Sequence, residues 1–403
     1  MSTAHPALDP AAPAVRSALV ATYAAFIGAG FVGASFASRI PQVRDRLELA
    51  PSQLGLVLLA LAAGSLLALP LSGVVVHRFG TRRTVALMAV TAAVGVSVIA
   101  LGYEHGVPAV LAGLFLLGFG NGAWDVAMNV QGADVERRWG RAVMPRFHAG
   151  FSVGTVVGAL IGAAMVALTV GVTVHLLIVA AVVALVVPVW VRRFLPDRQV
   201  AAGPEEGATG SAEGSVFARW REPRTLLVGL VVLAFAFAEG AGNDWIGISL
   251  IDSYQLPASV GTLGFATFLA AMTTMRWFGT RLLDRYGRVV VVRAMAGLAV
   301  VGLLLFVFGT VPLVAFAGAV LWGLGAALGF PVGMSAAADE PDAAGGRVSV
   351  VASIGYCAFL GGPPLVGFLG DHVTVLKGLL AVVVLLGFAI FVTPAMRPPH
   401  ESR

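Results

Sequence analysis

The chain has 403 residues, of which 58% are hydrophobic and 12% charged, and carries a net charge of +5. Soluble domains hold about 25% charged residues, so this chain lacks the polar surface a water-soluble globule would need, and its excess apolar surface must face lipid or protein. The basic residues lie between apolar runs and form no continuous patch, which argues against nucleic acid as a partner and for a role in membrane topology.

Residues 1–14 contain no Lys or Arg, and the first apolar run, 17–40, is longer than a signal-peptide core, so it is expected to remain as a helix. A spanning helix needs about 20 mostly apolar residues. Breaks at Pro, Gly and charge then give twelve candidates: 17–40, 52–76, 84–103, 109–133, 146–169 and 173–191, followed by 225–251, 258–282, 289–309, 312–336, 348–370 and 374–394. The segment 192–224, with Gly-Pro-Glu-Glu-Gly and Ser-Ala-Glu-Gly, has a flexible, charged composition. The predicted architecture is therefore an all-α membrane protein with two pseudo-symmetric six-helix bundles, 1–191 and 225–403, joined by a linker at 192–224.

The halves echo each other. His77-Arg78-Phe79-Gly80-Thr81-Arg82-Arg83 follows the second run, and Asp284-Arg285-Tyr286-Gly287-Arg288 follows the eighth. The fourth and tenth runs align without gaps at Gly118/Gly323, Gly120/Gly325 and Asp134/Asp339. Matching positions in two halves point to an internal duplication. With the N-terminus inside, the inner segments hold all of the 26 Lys and Arg residues except Arg39, Arg44, Arg46, Lys377 and the intramembrane Arg276. That bias places both termini and the linker in the cytoplasm.

Ionisable residues inside apolar spans are costly and each needs a reason. Asp125 has Asn121 and Asn129 one turn to either side, a polar stripe on one helix face. It reads as a substrate- or proton-binding carboxylate or as a buried structural one. The seventh run contains Glu239-Gly240-Ala241-Gly242-Asn243-Asp244-Trp245, where two glycines weaken the helix. A broken helix near the midplane, with Glu239, Asn243, Asp244 and Trp245 around it, would suit a transport site. Trp124 either stacks on a ring-shaped solute or packs in the core. Arg276 reads as the partner of an acid in an inner gate or as a substrate contact, and Arg146 and His148 as gating or structural partners of Asp134 or Glu136 rather than a proton relay. Arg39 reads as a snorkelled interfacial charge. Gly150, Gly154, Gly158 and Gly162, four apart, mark close helix packing. Gly362-Pro363-Pro364 reads as a kink in the eleventh run. The single cysteine, Cys357, reads as a buried structural thiol. Metal-ligand spacing, P-loops and dinucleotide fingerprints do not occur in suitable contexts, so no metal, cofactor or enzymatic activity is expected.

On the loop after the second run, the chain resembles the major facilitator superfamily. Gly73, Arg78, Gly80, Arg82 and Arg83 match that family's pattern, with His77 at its acidic position. The second copy has the acid, Asp284, with Arg285, Gly287 and Arg288, and Thr280 in place of the first glycine. The resemblance implies that these residues brace helix ends through charge pairs that form and break during transport. Gly120 to Asn129 is similar to the fucose-permease-like branch, as is the Arg-Phe-His-Ala-Gly-Phe-Ser stretch from Arg146 to Ser152. In that branch the acid of the fourth helix binds substrate and relays protons, which falls on Asp125. The acid that those symporters carry in the first helix has no counterpart between Ser17 and Ile40. The resemblance implies a monomeric, multi-pass inner-membrane transporter, working by alternating access on a proton-coupled sugar or other polar metabolite. An uncoupled facilitator or an exporter of hydrophobic compounds is the alternative. A membrane-embedded transferase and a solute sensor are more distant ones.

Overall fold

The computed structural model describes residues 13–141, 143–196, 216–340 and 344–398. Most of the predicted linker (197–215) and both chain ends (1–12 and 399–403) lie outside the described residues. Among the described residues there is no strand. The helices are α1 Pro13–Ala37, α2 Ile40–Arg46, α3 Pro51–Gly102, α4 Val107–Trp139, α5 Met144–Ala167, α6 Val172–Trp190, α7 Val216–Arg219, α8 Pro223–Asp252, α9 Ala258–Tyr286, α10 Arg288–Phe308, α11 Pro312–Ala326, α12 Gly329–Ala337, α13 Ala344–His372, α14 Val375–Gly378 and α15 Leu380–Val392. Eleven helical stretches among the described residues are long and apolar enough to cross a membrane. One of them, α3, is 52 residues long and joins two helices across a kink at Gly80.

That kink has a local cause. Gly80 has φ 77° and ψ 165°, a conformation cheap only for glycine. Gly287, its counterpart in the second motif copy, has φ 73° and ψ 157° and separates α9 from α10. The expected loops are thus single glycine residues between nearly continuous helices.

The chain divides into two compact units, one of residues 1–48 and 60–198, the other of 49–59 and 199–403. In the first, α1 packs along α5. A side chain at Gly154 would run into the Ile27 carbonyl, and one at Gly158 would lie 2.7 Å from the Phe31 carbonyl oxygen. The glycine stripe is therefore a close-packing seam. In the second unit, α8 packs against α9, α12 and α13, and α10 against α11. Residues 49–59 belong here, with Gly55 seated on the Pro363 carbonyl. Pro363 and Pro364 lie inside an uninterrupted α13.

The repeat is one of contacts as well as letters. Gly118 abuts the Leu61 carbonyl of α3, and Gly323 the Phe268 carbonyl of α9. Gly120 faces the Met88 and Ala92 backbone of α3, and Gly325 the Met295 and Ala299 backbone of α10.

The structure corrects three expectations here. The seventh span does not break: α8 runs unbroken through Gly240 and Gly242. Gly242 instead gives room to the Phe268 ring, 2.5 Å from where a Cβ would sit, and the packing outweighs the propensity cost of about 1 kcal/mol. Cys357 is exposed rather than buried, because it shares an outward helix face with Ser353, whose carbonyl accepts from its Sγ at 3.3 Å. Arg39 does not snorkel. It is 2% exposed, with Nε donating to His175 Nδ1 at 2.9 Å and Nη2 to the Val170 carbonyl at 3.0 Å. Those two acceptors meet two of its five N–H donors inside the unit.

Candidate functional site

In the first unit the polar stripe forms on α4. Asp125 lies about 27 Å from the start of a helix about 50 Å long, close to its centre, and is exposed. Asn129 Nδ2 donates to the Asp125 carbonyl at 2.8 Å and to its Oδ1 at 3.3 Å. Asn121 is half-buried, and its Oδ1 has no partner. Asp125 forms no ion pair among the described residues. Trp124 does not line the stripe. It is fully buried against Gly28 of α1, where its Cη2 would lie 3.2 Å from an added Cβ. A ring on the neighbouring face turns inward by helix geometry alone.

In the second unit the decisive feature is a break in the tenth span, between Ala326 and Gly329. Pro331 has no N–H, so the Ala327 carbonyl four residues earlier lacks its helical donor. Arg276 supplies one from α9: its Nε donates to the Ala327 carbonyl at 3.3 Å. The same guanidinium uses Nη2 to hold Glu239 Oε2 of α8 at 2.8 Å. The break is packed from both sides. Leu328 fills the gap over Gly279 of α9, 2.6 Å from where a Cβ would be, and Gly329 lies against the Phe235 ring of α8. One arginine thus ties three elements at a point where backbone is exposed. Glu239 sits about 24 Å along a helix about 45 Å long, again near mid-span. The Arg276 and Glu239 side chains remain 28% and 20% exposed.

Asn243, one turn from Glu239, shares its face and is half-buried; Asp244 is half-buried on another face. Trp245 is fully buried and belongs to the core rather than to a lining. The expected gating residues of the first motif, Gly73, His77, Arg78 and Arg82, are exposed on α3 around Gly80, with Arg78 over the Phe79 ring. In the second motif Asp284 and Arg285 are exposed, and Arg285 lies over Tyr286. Among the described residues, Arg288 alone of that motif forms a cross-helix ion pair. Its guanidinium grips Asp339, with Nη1–Oδ1 at 2.8 Å, and Arg224 reaches the same carboxylate at 2.6 Å.

Arg146 and His148 are exposed on α5, with His148 edge-on to Phe26. The acids expected to meet them have other partners. Asp134 pairs with Arg137 at 3.1 Å and Arg138 at 2.9 Å on its own helix. Glu136 Oε2 accepts the Val143 and Met144 backbone N–H groups at 2.6 and 2.7 Å, capping the start of α5. Sequence reasoning missed the break and a second ionic cluster, in which Glu222 meets Arg219, Arg347 (2.8 Å) and Thr225 (2.8 Å). The signal for the break was Gly329-Phe330-Pro331 inside an apolar run.

Residues 18–242 and 245–403 match the Major Facilitator Superfamily. The chain belongs to the major facilitator superfamily. It is 34% identical over 370 residues to the uncharacterized transporter y4wD of Sinorhizobium fredii, covering 90% of this chain and 94% of that one. It is 28% identical to the membrane protein MosC of Rhizobium meliloti over 374 residues, covering 92% and 88%. Among solved structures, a mutant of the nucleoside transporter NupG superposes with a TM-score of 0.78 at 13% identity, covering 95% of this chain and 99% of that one. A bacterial homologue of the human lysosomal transporter Spinster gives 0.77 at 14% identity, covering 98% and 99%. At those identities the structures share the fold alone. The protein is thus a multi-pass membrane transporter of the major facilitator superfamily.

Proposed function

We propose that this transporter moves a small polar metabolite across the cytoplasmic membrane by proton-coupled alternating access, as a monomer. It would make twelve crossings, with α3 counted as two about Gly80, and have both termini in the cytoplasm. The Lys and Arg distribution supports that orientation. Asp125 and Glu239 are the proton- and substrate-binding carboxylates in this reading. Asn121, Asn129 and Asn243 line the path on the same helix faces. Asp244 serves the far end of α8, and Arg288 belongs to the gating network.

The observation that carries the reading is Asp125, a carboxylate at mid-span with no cation paired to it among the described residues. An ionised acid at that depth is costly, so it takes up a proton or a cationic group as the site is occluded. An uncoupled facilitator or exporter is the second reading, favoured by the absence of any acid from α1. The test is solute-driven pH change in proteoliposomes. Wild type should acidify or alkalinise the lumen with solute flux, and the double variant Asp125→Asn/Glu239→Gln should move solute without protons or not at all. Changes in pH that persist in the double variant would place coupling elsewhere.

A further inference from the structure

The Glu239–Arg276 pair sits beside a helix break that has its own use for the arginine. Nε is engaged by the Ala327 carbonyl, and Nη2 by Glu239. The two bonds differ in kind. The first satisfies a backbone acceptor that Pro331 leaves open, and it holds the guanidinium in place whatever Glu239 does. The second is a charge pair whose anion is a side chain at mid-span. A guanidinium presents a planar fork that suits a carboxylate with two parallel N–H donors. Glu239 uses one of them.

We propose that Arg276 is the receptor for a carboxylate on the transported solute, and that Glu239 occupies its place when the solute is absent. This deepens the proton-coupled reading above and rests on it. The charge balance selects the class. Separating Glu239 from Arg276 at mid-span leaves two charges without counter-ions, which is costly for each ion. A neutral sugar restores neither charge. A carboxylate solute restores both if Glu239 takes one proton from water as it leaves. The Glu239 carboxylate becomes a carboxylic acid, Arg276 stays protonated, and its Nη hydrogen bonds pass to the solute. Net charge in the site is unchanged, and one proton accompanies one anion. A phosphate monoester, with a charge of about −1.5 to −2 near neutrality, would leave an excess negative charge.

The surroundings leave this exchange to the pair itself. Of the elements against α8, α11, α12 and α15 contain no Asp, Glu, His, Lys or Arg. On α13, Arg347 is engaged by Glu222 and Glu340 near its start, Asp371 and His372 lie at its far end, and Tyr356 and Cys357 are at intermediate depth. Lys377 is on α14, and the remaining charges of α9, Arg281, Asp284 and Arg285, are at its C-terminal end. Asp244 lies on another face of α8.

Four probes with one six-carbon skeleton isolate charge: gluconate, glucose, glucosamine and glucose 6-phosphate, with acetate and lactate as minimal carboxylates. The readout is ligand-induced thermal stabilisation of the full chain in detergent, each probe at tens of millimolar and at several pH values. Carboxylates should stabilise, with apparent affinity rising about tenfold per unit fall in pH, the slope for one linked proton. Glu239→Gln should bind carboxylates at least as well with the slope removed. Arg276→Gln should lose the response, and Arg276→Lys should retain it in weakened form. If Arg276→Gln does not fold, the Lys variant and the Glu239→Gln slope still decide. No stabilisation by any carboxylate overturns the inference. So does stabilisation by glucose or glucosamine alone, although a one-proton slope with either would leave proton coupling standing. A carboxylate response with no pH slope supports Arg276 as the receptor and defeats the proton-coupled reading.

Discussion

Asp134 and Asp339 occupy the same position of the internal repeat, yet their partners predict different costs of removal. Asp339 holds Arg224 of α8 and Arg288 of α10, so one carboxylate fastens three parts of the second unit. Its side chain is 16% exposed, and those of Arg288 and Arg224 are 15% and 29%. Stranding a buried partner costs about 3–5 kcal/mol, and partial solvent screening at these exposures lowers that to about 2–3 kcal/mol. Among the described residues Asp134, itself 15% exposed, pairs only within α4, with Arg137 (64% exposed) and Arg138 (15% exposed). The exposed Arg137 pair contributes about 0.3–0.5 kcal/mol, and the more sheltered Arg138 pair about 1 kcal/mol. For units of this size, 1 kcal/mol moves Tm by about 2–4 °C. Asp339→Asn should therefore lower Tm by about 4–12 °C, and Asp134→Asn by about 3–6 °C. Thermal unfolding of the purified variants, followed by tryptophan fluorescence, measures both. Added salt should shrink the Asp134 effect more than the other. Equal losses, or a larger loss for Asp134→Asn, would refute the assignment of cross-helix fastening to Asp339.

Three further outcomes follow from contacts away from the transport site. Gly80→Ala and Gly287→Ala each place a side chain at positive φ with extended ψ, so each should destabilise by about 1–3 kcal/mol; a Tm unchanged in both would contradict the kink geometry. Arg39→Lys should not restore the native Tm, because one ammonium cannot reproduce the planar fork that serves both His175 and the Val170 carbonyl. A fully stable Lys variant would show that charge alone suffices there. Burial opposes ionisation of Glu222, but hydrogen bonds from Arg347, Arg219 and Thr225 prevail and hold its carboxyl at about 2, below the ordinary value of 4.5. A depressed folded-state pKa means its stabilisation is complete above about pH 4.5 and is lost as pH falls towards about 2. The Tm difference between wild type and Glu222→Gln should therefore close over that window, and a difference that stays constant would rule the linkage out.

What could be read from the sequence was whatever depended on local pattern. The apolar runs, the glycine stripe from Gly150 to Gly162 and the matched pairs Gly118/Gly323 and Gly120/Gly325 each need only spacing, and, apart from the break in the tenth run, they form the helices and close contacts that the spacing implies. Charge patterning and depth singled out Asp125, Glu239 and Arg276 for the same reason: ionisable groups in apolar runs are visible without knowing the fold. Pairings were not legible. Arg276 and Glu239 are 37 residues apart, Arg39 and His175 are 136 apart, and nothing local to Arg39 distinguishes a buried arginine from one that reaches water. Helix breaks proved the hardest, because a glycine can loosen a helix or admit a neighbour. At Gly242 the Phe268 ring fills the gap and α8 continues. At Ala327 the carbonyl loses its helical donor to Pro331 and the helix parts, whereas α13 continues through Pro363 and Pro364, so a proline alone does not fix a break. Such a break persists inside an apolar bundle only if some other group meets the freed carbonyl. Arg276 meets it from α9, so the position of the break and the placement of a mid-span charge are two consequences of one contact. A charged side chain at that depth then has a structural reason to be there before any solute binds.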